Sequence, residues 1–577
     1  MILGLGAFDW IVIAAYLLTI VGVGLYSNRK VKSTGDYFMG GRKFGKLLMI
    51  GQAFGTGTRT DQVVAVSGGA AQVGLAGIWF QWLYLFSTPF YWLLAPVYRR
   101  LRYLTIGDFF EKRYGVGMGA MYASVGLLYF AVTTGVMLKG AGVTVQAITG
   151  GAVSTNAAVI AMAVFLLLYS SIGGLVAAVR TQTVQGLFIL VLSFLLIPFA
   201  LIAAGGLDGV QARLPDDREW FSLVATTEVT LFYIVMAIIN GMVGITVQPH
   251  HMAINGAGKD EIACRTGWTY GNFIKRFATL GWALSGIFIA SLFPILAEAG
   301  RGERELAFGM AARQLLPPGL VGLLVAAVVA AVVAGASSFM VNGSALFTRN
   351  FYLRFLKRHA TEKHYLKVGR TGSFFIVIVG VCTSILLESV IAGIELTWRI
   401  MAFMGIAFWT AVVWRRANRY GAWASLIVTS ILAVWTTNLG WDFAPQAALY
   451  LPVGFATMIG VSLLTKPEDE QLVNEFYTLL RTPVGEEHRL KAAGIETIHE
   501  AELPNVIIPD ESAQSAPVHD DTVAGKRGES LLLTNLLSLH KNFSWQRYRV
   551  DLIGFLAAWG IVAVLLLIAF GISASLS

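Results

Sequence analysis

The stretch Gly55-Thr56-Gly57-Thr58-Arg59-Thr60-Asp61-Gln62 sets an arginine, an acid and two glycines between the apolar runs Leu47-Leu48-Met49-Ile50 and Val63-Val64-Ala65-Val66. Arg or Asp at the centre of a membrane helix costs roughly 3 kcal/mol on insertion scales, so such residues persist mainly where they face a cavity, a partner or a pathway. Each glycine weakens a helix by about 1 kcal/mol relative to alanine, and an interrupted helix at membrane depth is tolerated only where it lines a protected site. The chemistry available here is non-covalent: a fixed positive charge and hydrogen-bonding groups that can hold an ion or a polar solute. No nucleophile elbow, metal-spaced His/Cys cluster or Walker loop occurs anywhere in the chain, so no catalytic residue, metal site or cofactor is expected.

The elements that carry this stretch must be membrane helices. Of 577 residues, 56% are hydrophobic and 13% charged, and mean hydropathy is +0.66. A soluble domain would be about one quarter charged. Apolar runs of about 20 residues predict roughly fourteen spans. They start near Phe8, Leu47, Ile78, Met118, Thr155, Thr183, Leu231, Phe273, Leu320, Gly372, Arg399, Ala422, Tyr450 and Val550. The first is read as a retained span, because Asp9 stands where a signal peptide would be basic and no A-x-A site follows.

The net charge of +9 is not a nucleic-acid signature, because the basic residues fall in alternate loops. Arg29 to Lys43, Arg99 to Arg113, Lys259 to Arg276, Arg349 to Arg358 and Arg415 to Arg419 are accordingly read as cytoplasmic, which puts both termini outside. Cys264 and Cys382 imply no disulfide framework. The long polar segment from Lys466 to Arg549 is read as a cytoplasmic linker with some disorder and a candidate docking site for a protein partner. Within it, Leu531 to Lys541 is read either as a surface amphipathic helix or as an apolar lead-in to the last span.

A second interruption is expected at Ile239-Asn240-Gly241-Met242-Val243-Gly244, five spans after the first. An odd offset gives the two segments opposite orientation, as in inverted repeats whose broken helices meet at the midplane. Glycine also serves simple helix packing, which is the alternative for the second segment.

Several strings resemble the sodium/solute symporter family: Asp36-Tyr37-Phe38-Met39-Gly40-Gly41-Arg42, then Thr105-Ile106-Gly107-Asp108-Phe109-Phe110-Glu111-Lys112-Arg113-Tyr114, then Gly173-Gly174-Leu175 with Thr181 and Gln185. Gln248-Pro249-His250 is similar to its sodium/proline branch, while Phe476-Tyr477 and Arg481-Thr482-Pro483-Val484-Gly485 resemble the tail of its sugar-transporting members. The resemblance implies an all-α, LeuT-like integral membrane fold. Its organisation would be an extra helix over 1–30, a ten-helix core over 47–414, two peripheral helices over 421–464, a linker over 465–548 and a last helix over 549–577.

By the same resemblance, a coupling sodium would bind between the first and eighth core helices, using backbone carbonyls and two adjacent hydroxyls. Here Gly55 and Thr58 would offer carbonyls from the first helix and Ala331 from the eighth, but Ala334 and Gly335 stand where the hydroxyls are expected. Ser337 and Ser338 lie three residues further on, about 300° around the helix. The family's Thr-Asp, linked to sodium release toward the cytoplasm, reads Thr181-Gln182. Arg59 follows the first-helix ligands; a guanidinium cannot be deprotonated, and two unit charges 4 Å apart repel by about 4 kcal/mol at an effective dielectric of about 20. Arg59 is therefore read as an ion surrogate, with anchoring of a substrate carboxylate or a plain pair with Asp61 as alternatives.

The resemblance further carries Thr56, Gly57, Asp61, Gln62, Gln81, Lys139, Asn240, Gly241 and Gly244 to a substrate cavity. Lys139 would pair with Asp61, bind substrate or snorkel to a helix end. His250 and His251 admit proton coupling, although His250 belongs to a string shared with sodium-coupled relatives. The reading is a secondary transporter of a small polar organic solute, an amino acid or similar, that works without sodium in a bacterial inner membrane. A conventional sodium symporter and a transporter-shaped receptor or accessory subunit are the alternatives.

Overall fold

The computed structural model describes residues 2–28, 42–357, 359–495 and 530–576. The segment 36–41 of the first family string lies outside the described residues, as do the side chains of Gly173, Gly174, Leu175 and Thr181. The described residues are helical, with no strand among them. In chain order the principal helices are α1 Ala7–Asn28, α2 Lys46–Gly57, α3 Thr60–Val73, α4 Thr88–Leu101, α5 Ile106–Tyr114, α6 Val116–Thr149, α7 Thr155–Ala204 and α8 Leu231–Gly244. Then follow α9 His250–Gly256, α10 Glu261–Leu292, α11 Leu320–Phe347, α12 Glu362–Leu386, α13 Val390–Val413, α14 Arg419–Asn438, α15 Phe443–Leu464 and α16 Trp545–Leu576.

Among the described residues nine helices are long and apolar enough to cross a membrane, or eleven if each of two bent pairs forms one span. The sequence count of fourteen is higher for identifiable reasons. The apolar part of α1 covers only Ala7–Gly22, α2 is a half-helix of 12 residues, and the spans expected from Thr155 and Thr183 join in one helix of 50 residues. The Gly173-Gly174 pair weakens that helix without removing a hydrogen bond, so it does not end it.

The first interruption falls at Thr58 (φ −101°, ψ 114°) and Arg59 (φ −130°, ψ 156°), two extended residues between α2 and α3. The second lies beyond the expected Ile239–Gly244. Helix α8 continues as a 3-10 turn over Ile245–Val247, stops at Gln248, and resumes as α9 at an angle of 60°. Pro249 causes this: it has no N–H to give the preceding turn and pushes Gln248 to an extended conformation (φ −62°, ψ 123°). Gly241 and Gly244 instead let neighbours approach closely, since a Cβ at these positions would lie 2.7 Å from Leu83 Cδ1 and 3.0 Å from the Ala402 nitrogen.

Helix α10 packs along both halves of the first broken helix, while α11 packs on α6, α7 and α12. The pair α14 and α15 and the final α16 lie outside this centre, α16 against α4. Buried polar contacts pin the periphery. Asp9 of α1 accepts the Gly319 and Gly322 amides at 2.6 and 2.9 Å, capping α11 from another helix. Asp551 of α16 pairs with Arg265 of α10 at 2.5 Å and accepts the Leu532 amide at 2.8 Å.

The string around Asp108 has a clear structural task. Thr105 and Asp108 form a capping box on α5, and Asp108 pairs with Arg349 at 2.7 Å and accepts from Asn350 Nδ2 at 3.0 Å, just beyond α11. The tail string docks beside it: Arg102 donates to the Pro483 carbonyl at 2.8 Å and pairs with Glu487 at 2.9 Å. The start of the segment read as a linker is therefore folded against the body, with Phe476 and Tyr477 buried and Tyr477 donating to the Ala411 carbonyl. Residues 496–529 of that segment lie outside the described residues. Leu533–Ser538 is a 3-10 turn with Leu531, Leu532 and Leu533 buried and Leu536 and Leu537 exposed.

The Asp9 cap is testable. Asp9→Ala removes the acceptor for two buried amides and is expected to destabilise the protein by about 1–2 kcal/mol, seen as a lower melting temperature in detergent, whereas Asp9→Asn keeps most of it. An unchanged melting temperature in Asp9→Ala contradicts the assignment.

Candidate solute-binding cavity

The two interruptions face one buried cavity. The first broken helix supplies Thr56, Gly57, Arg59 and Gln62, the second supplies Gln248, His250 and His251, and α10 supplies Trp268, Asn272, Lys275 and Arg276. Gln81, Tyr84, Tyr91 and Tyr129 close one wall, Thr397 and Trp398 another. The backbone freed by the first break is satisfied by side chains: Lys275 Nζ donates to the Gly57 carbonyl at 2.9 Å, and Thr60 Oγ1 donates to the Met137 carbonyl at 3.0 Å.

Of the residues expected at a substrate cavity, Thr56, Gly57, Gln62 and Gln81 line this one. Asp61 is fully buried behind it and holds the Arg59 guanidinium in a fork, Nε to Oδ1 at 3.0 Å and Nη2 to Oδ2 at 2.8 Å. Asn240, Gly241 and Gly244 are not part of the lining. Asn240 is spent on packing contacts, donating to the Trp398 carbonyl at 3.2 Å and accepting from Tyr450 at 2.7 Å. Lys139 is directed elsewhere, its Nζ donating to the Leu387 carbonyl at 2.5 Å at the end of α12. Glu395 lies near the opposite end of the second broken helix, where it accepts from Tyr233 and faces Arg301 and Arg399 at 3.9 Å each.

Lys275 and Arg276 are the residues that sequence reasoning misplaced. They were grouped with a basic loop, yet both are buried within α10, a continuous helix of 32 residues. A hydropathy reading treats any basic pair as the flank of a span; the cue that could have placed them was the aromatic and small-residue run Trp268 to Asn272 on their N-terminal side.

The seam between α2 and α11 has its own arrangement. Gln182 Nε2 donates to the Ala334 carbonyl at 2.7 Å and to Ser338 Oγ at 2.8 Å, and its Oε1 accepts from Thr56 Oγ1 at 3.2 Å. Gly55 abuts this glutamine so closely that a Cβ would lie 2.7 Å from its Cβ. Ser337 donates to its own helix at Val333, Gly335 packs against Met137, and Thr58 Oγ1 is buried with no hydrogen-bond partner among the described residues. Ala331 faces an apolar recess with Thr60, Val64 and Val328. The Arg59 guanidinium bonds to Asp61 and lies 5.9 Å from the Phe339 ring centroid, on the cavity side.

A family model described as the sodium:solute symporter family matches residues 37–429 of the chain. The chain belongs to that family. Its members are transporters and not enzymes, and this chain is a secondary solute transporter of the membrane. Similar proteins include the sodium/glucose cotransporter 2 of Rattus norvegicus, 26% identical over 65% of this chain and 62% of that protein. The osmoregulated proline transporter of Bacillus subtilis is 25% identical over 78% of this chain and 94% of that one. The sodium/proline symporter of Escherichia coli is 26% identical, with coverages of 74% and 87%.

A substrate-bound, outward-open Na+-coupled sialic acid symporter superposes with a TM-score of 0.68 at 18% identity, covering 80% of this chain and 99% of that one. A nucleobase-cation-symport transporter in a closed conformation superposes with a TM-score of 0.50 at 13% identity, covering 77% and 98%. These superpositions establish a LeuT-like fold.

In this symporter scaffold the Arg59–Asp61 fork is buried, so losing one partner strands the other. Asp61→Ala is expected to destabilise the protein by about 3–5 kcal/mol, and the double substitution Arg59→Met/Asp61→Leu to recover most of that, measured as melting temperatures in detergent. Equal losses in the single and double variants run against a coupled pair.

Proposed function

We propose that this protein carries a small organic solute through the cavity between the two broken helices and does so without sodium. The observation that carries this reading is Gln182, whose amide spans Thr56, Ala334 and Ser338 across the seam where the family resemblance would put the ion. A neutral amide that donates into a carbonyl and a hydroxyl uses the lone pairs a cation would need. It also brings no negative charge to offset one, and the residues aligned with the missing hydroxyls are Ala334 and Gly335. Arg59 adds a permanent positive charge at the neighbouring break, which opposes a second cation. The basic residues of the remaining alternate loops favour an orientation with both termini outside, and the bacterial members of the family favour an inner membrane.

Sodium-coupled symport is the second reading. It is favoured by the Ser338 hydroxyl, which already lies on the seam beside Ser337, and by relatives that are sodium/glucose and sodium/proline transporters.

Thermal unfolding of purified protein in sodium chloride against choline chloride at equal ionic strength separates the two. The expected result is no sodium-specific shift in wild type and a sodium-dependent rise in Gln182→Asp, which restores a carboxylate to the seam. A saturable sodium shift in wild type decides for coupled symport. Solute counterflow in proteoliposomes then distinguishes a carrier from a receptor, because a receptor binds without exchanging label.

A further inference from the structure

Among the described residues three cations line the cavity, Arg59, Lys275 and Arg276, and no Asp or Glu lines it. Arg59 is neutralised by its fork with Asp61. The other two have no such partner: among the described residues neither Lys275 nor Arg276 forms an ion pair with a carboxylate.

Their hydrogen bonding is also incomplete, and in a specific direction. Arg276 is fully buried; Nη1 donates to Gln81 Oε1 at 2.6 Å, the guanidinium lies 5.6 Å from the Tyr84 ring centroid, and Nη2 has no hydrogen-bond partner among the described residues. Lys275, 6% exposed, spends one N–H on the Gly57 carbonyl. An arginine cannot shed its proton to escape such a site, and a buried charge left without a counter-charge is strongly unfavourable. Lys275 also bonds to the carbonyl that ends the first half of the broken helix, so a guest held by it would lie beside that break.

Resting on the reading of this cavity as the solute site, we propose that its solute is a small organic carboxylate with net negative charge. The carboxylate lies between the Lys275 ammonium and the Arg276 guanidinium, accepting the N–H groups that the protein leaves free. Its organic body packs on the rings of Trp268 and Trp398. This departs from the amino-acid lean of the Gln248-Pro249-His250 string, because the lining holds no carboxylate to receive an ammonium group.

Matched probe pairs of one shape and two charges test the proposal: lactate against lactamide, and benzoate against benzamide, with proline as a zwitterion. Binding of each labelled probe to the purified full-length protein is measured in detergent. The expected result is that at least one carboxylate binds about tenfold or more tightly than its amide. Arg276→Gln and Lys275→Gln, checked for monodispersity, are each expected to erase most of that preference. Wild-type protein that prefers no carboxylate over its amide overturns the proposal, and this arm needs no variant to fold. A preference untouched by either substitution also overturns it.

Counterflow of the tightest probe in proteoliposomes keeps the two readings apart. Binding without exchange supports the anion site and counts against transport. Exchange of proline or of the amides without carboxylate preference supports transport and overturns the anion site.

Discussion

A helix interrupted inside a bilayer leaves carbonyls and amides that water cannot reach, and the protein must satisfy them itself. The break at Thr58 and Arg59 imposes that constraint on everything around it. Lys275 reaches across from α10 to the Gly57 carbonyl, Thr60 bonds to α6 at Met137, and Gln182 ties Thr56 to α11. Four helices, α6, α7, α10 and α11, are thus tied to the residues around one unwound turn.

The same junction shows how charge is managed. Arg59 and Asp61 form a neutral fork, with the acid fully buried and the base at the cavity edge. An ion pair of this kind fixes geometry more than it adds stability, since desolvation offsets much of the Coulomb attraction. Its effect is to leave the cavity with only the charges of Lys275 and Arg276 in play. The seam behind it is bridged by an amide, so cohesion between α2 and α11 comes from hydrogen bonds within the protein.

At the arginine-rich end, the family strings turn out to be latches. Asp108 caps α5 and binds Arg349 and Asn350 beyond α11, while Arg102 gathers the chain at Pro483 and Glu487. These contacts join segments far apart in sequence. Asp108 and Arg102 each supply a buried charge whose partner lies elsewhere in the fold.

The sequence by itself determined the membrane setting, the helical class and the first interruption, because hydropathy and a charged, glycine-bearing stretch are local properties. It also pointed to Thr56, Gly57, Gln62 and Gln81, residues that do line the cavity. It could not decide the second break, where glycines at Gly241 and Gly244 signalled an interruption but Pro249 makes it, glycine being equally suited to close helix packing. Lys275 and Arg276 were read as loop residues, and only the folded chain shows them facing the cavity, because the polar surroundings that shelter them come from other helices. The partner of Gln182 was likewise invisible: Ala334 and Ser338 are some 150 residues away along the chain, and which groups meet across a seam is settled by packing alone.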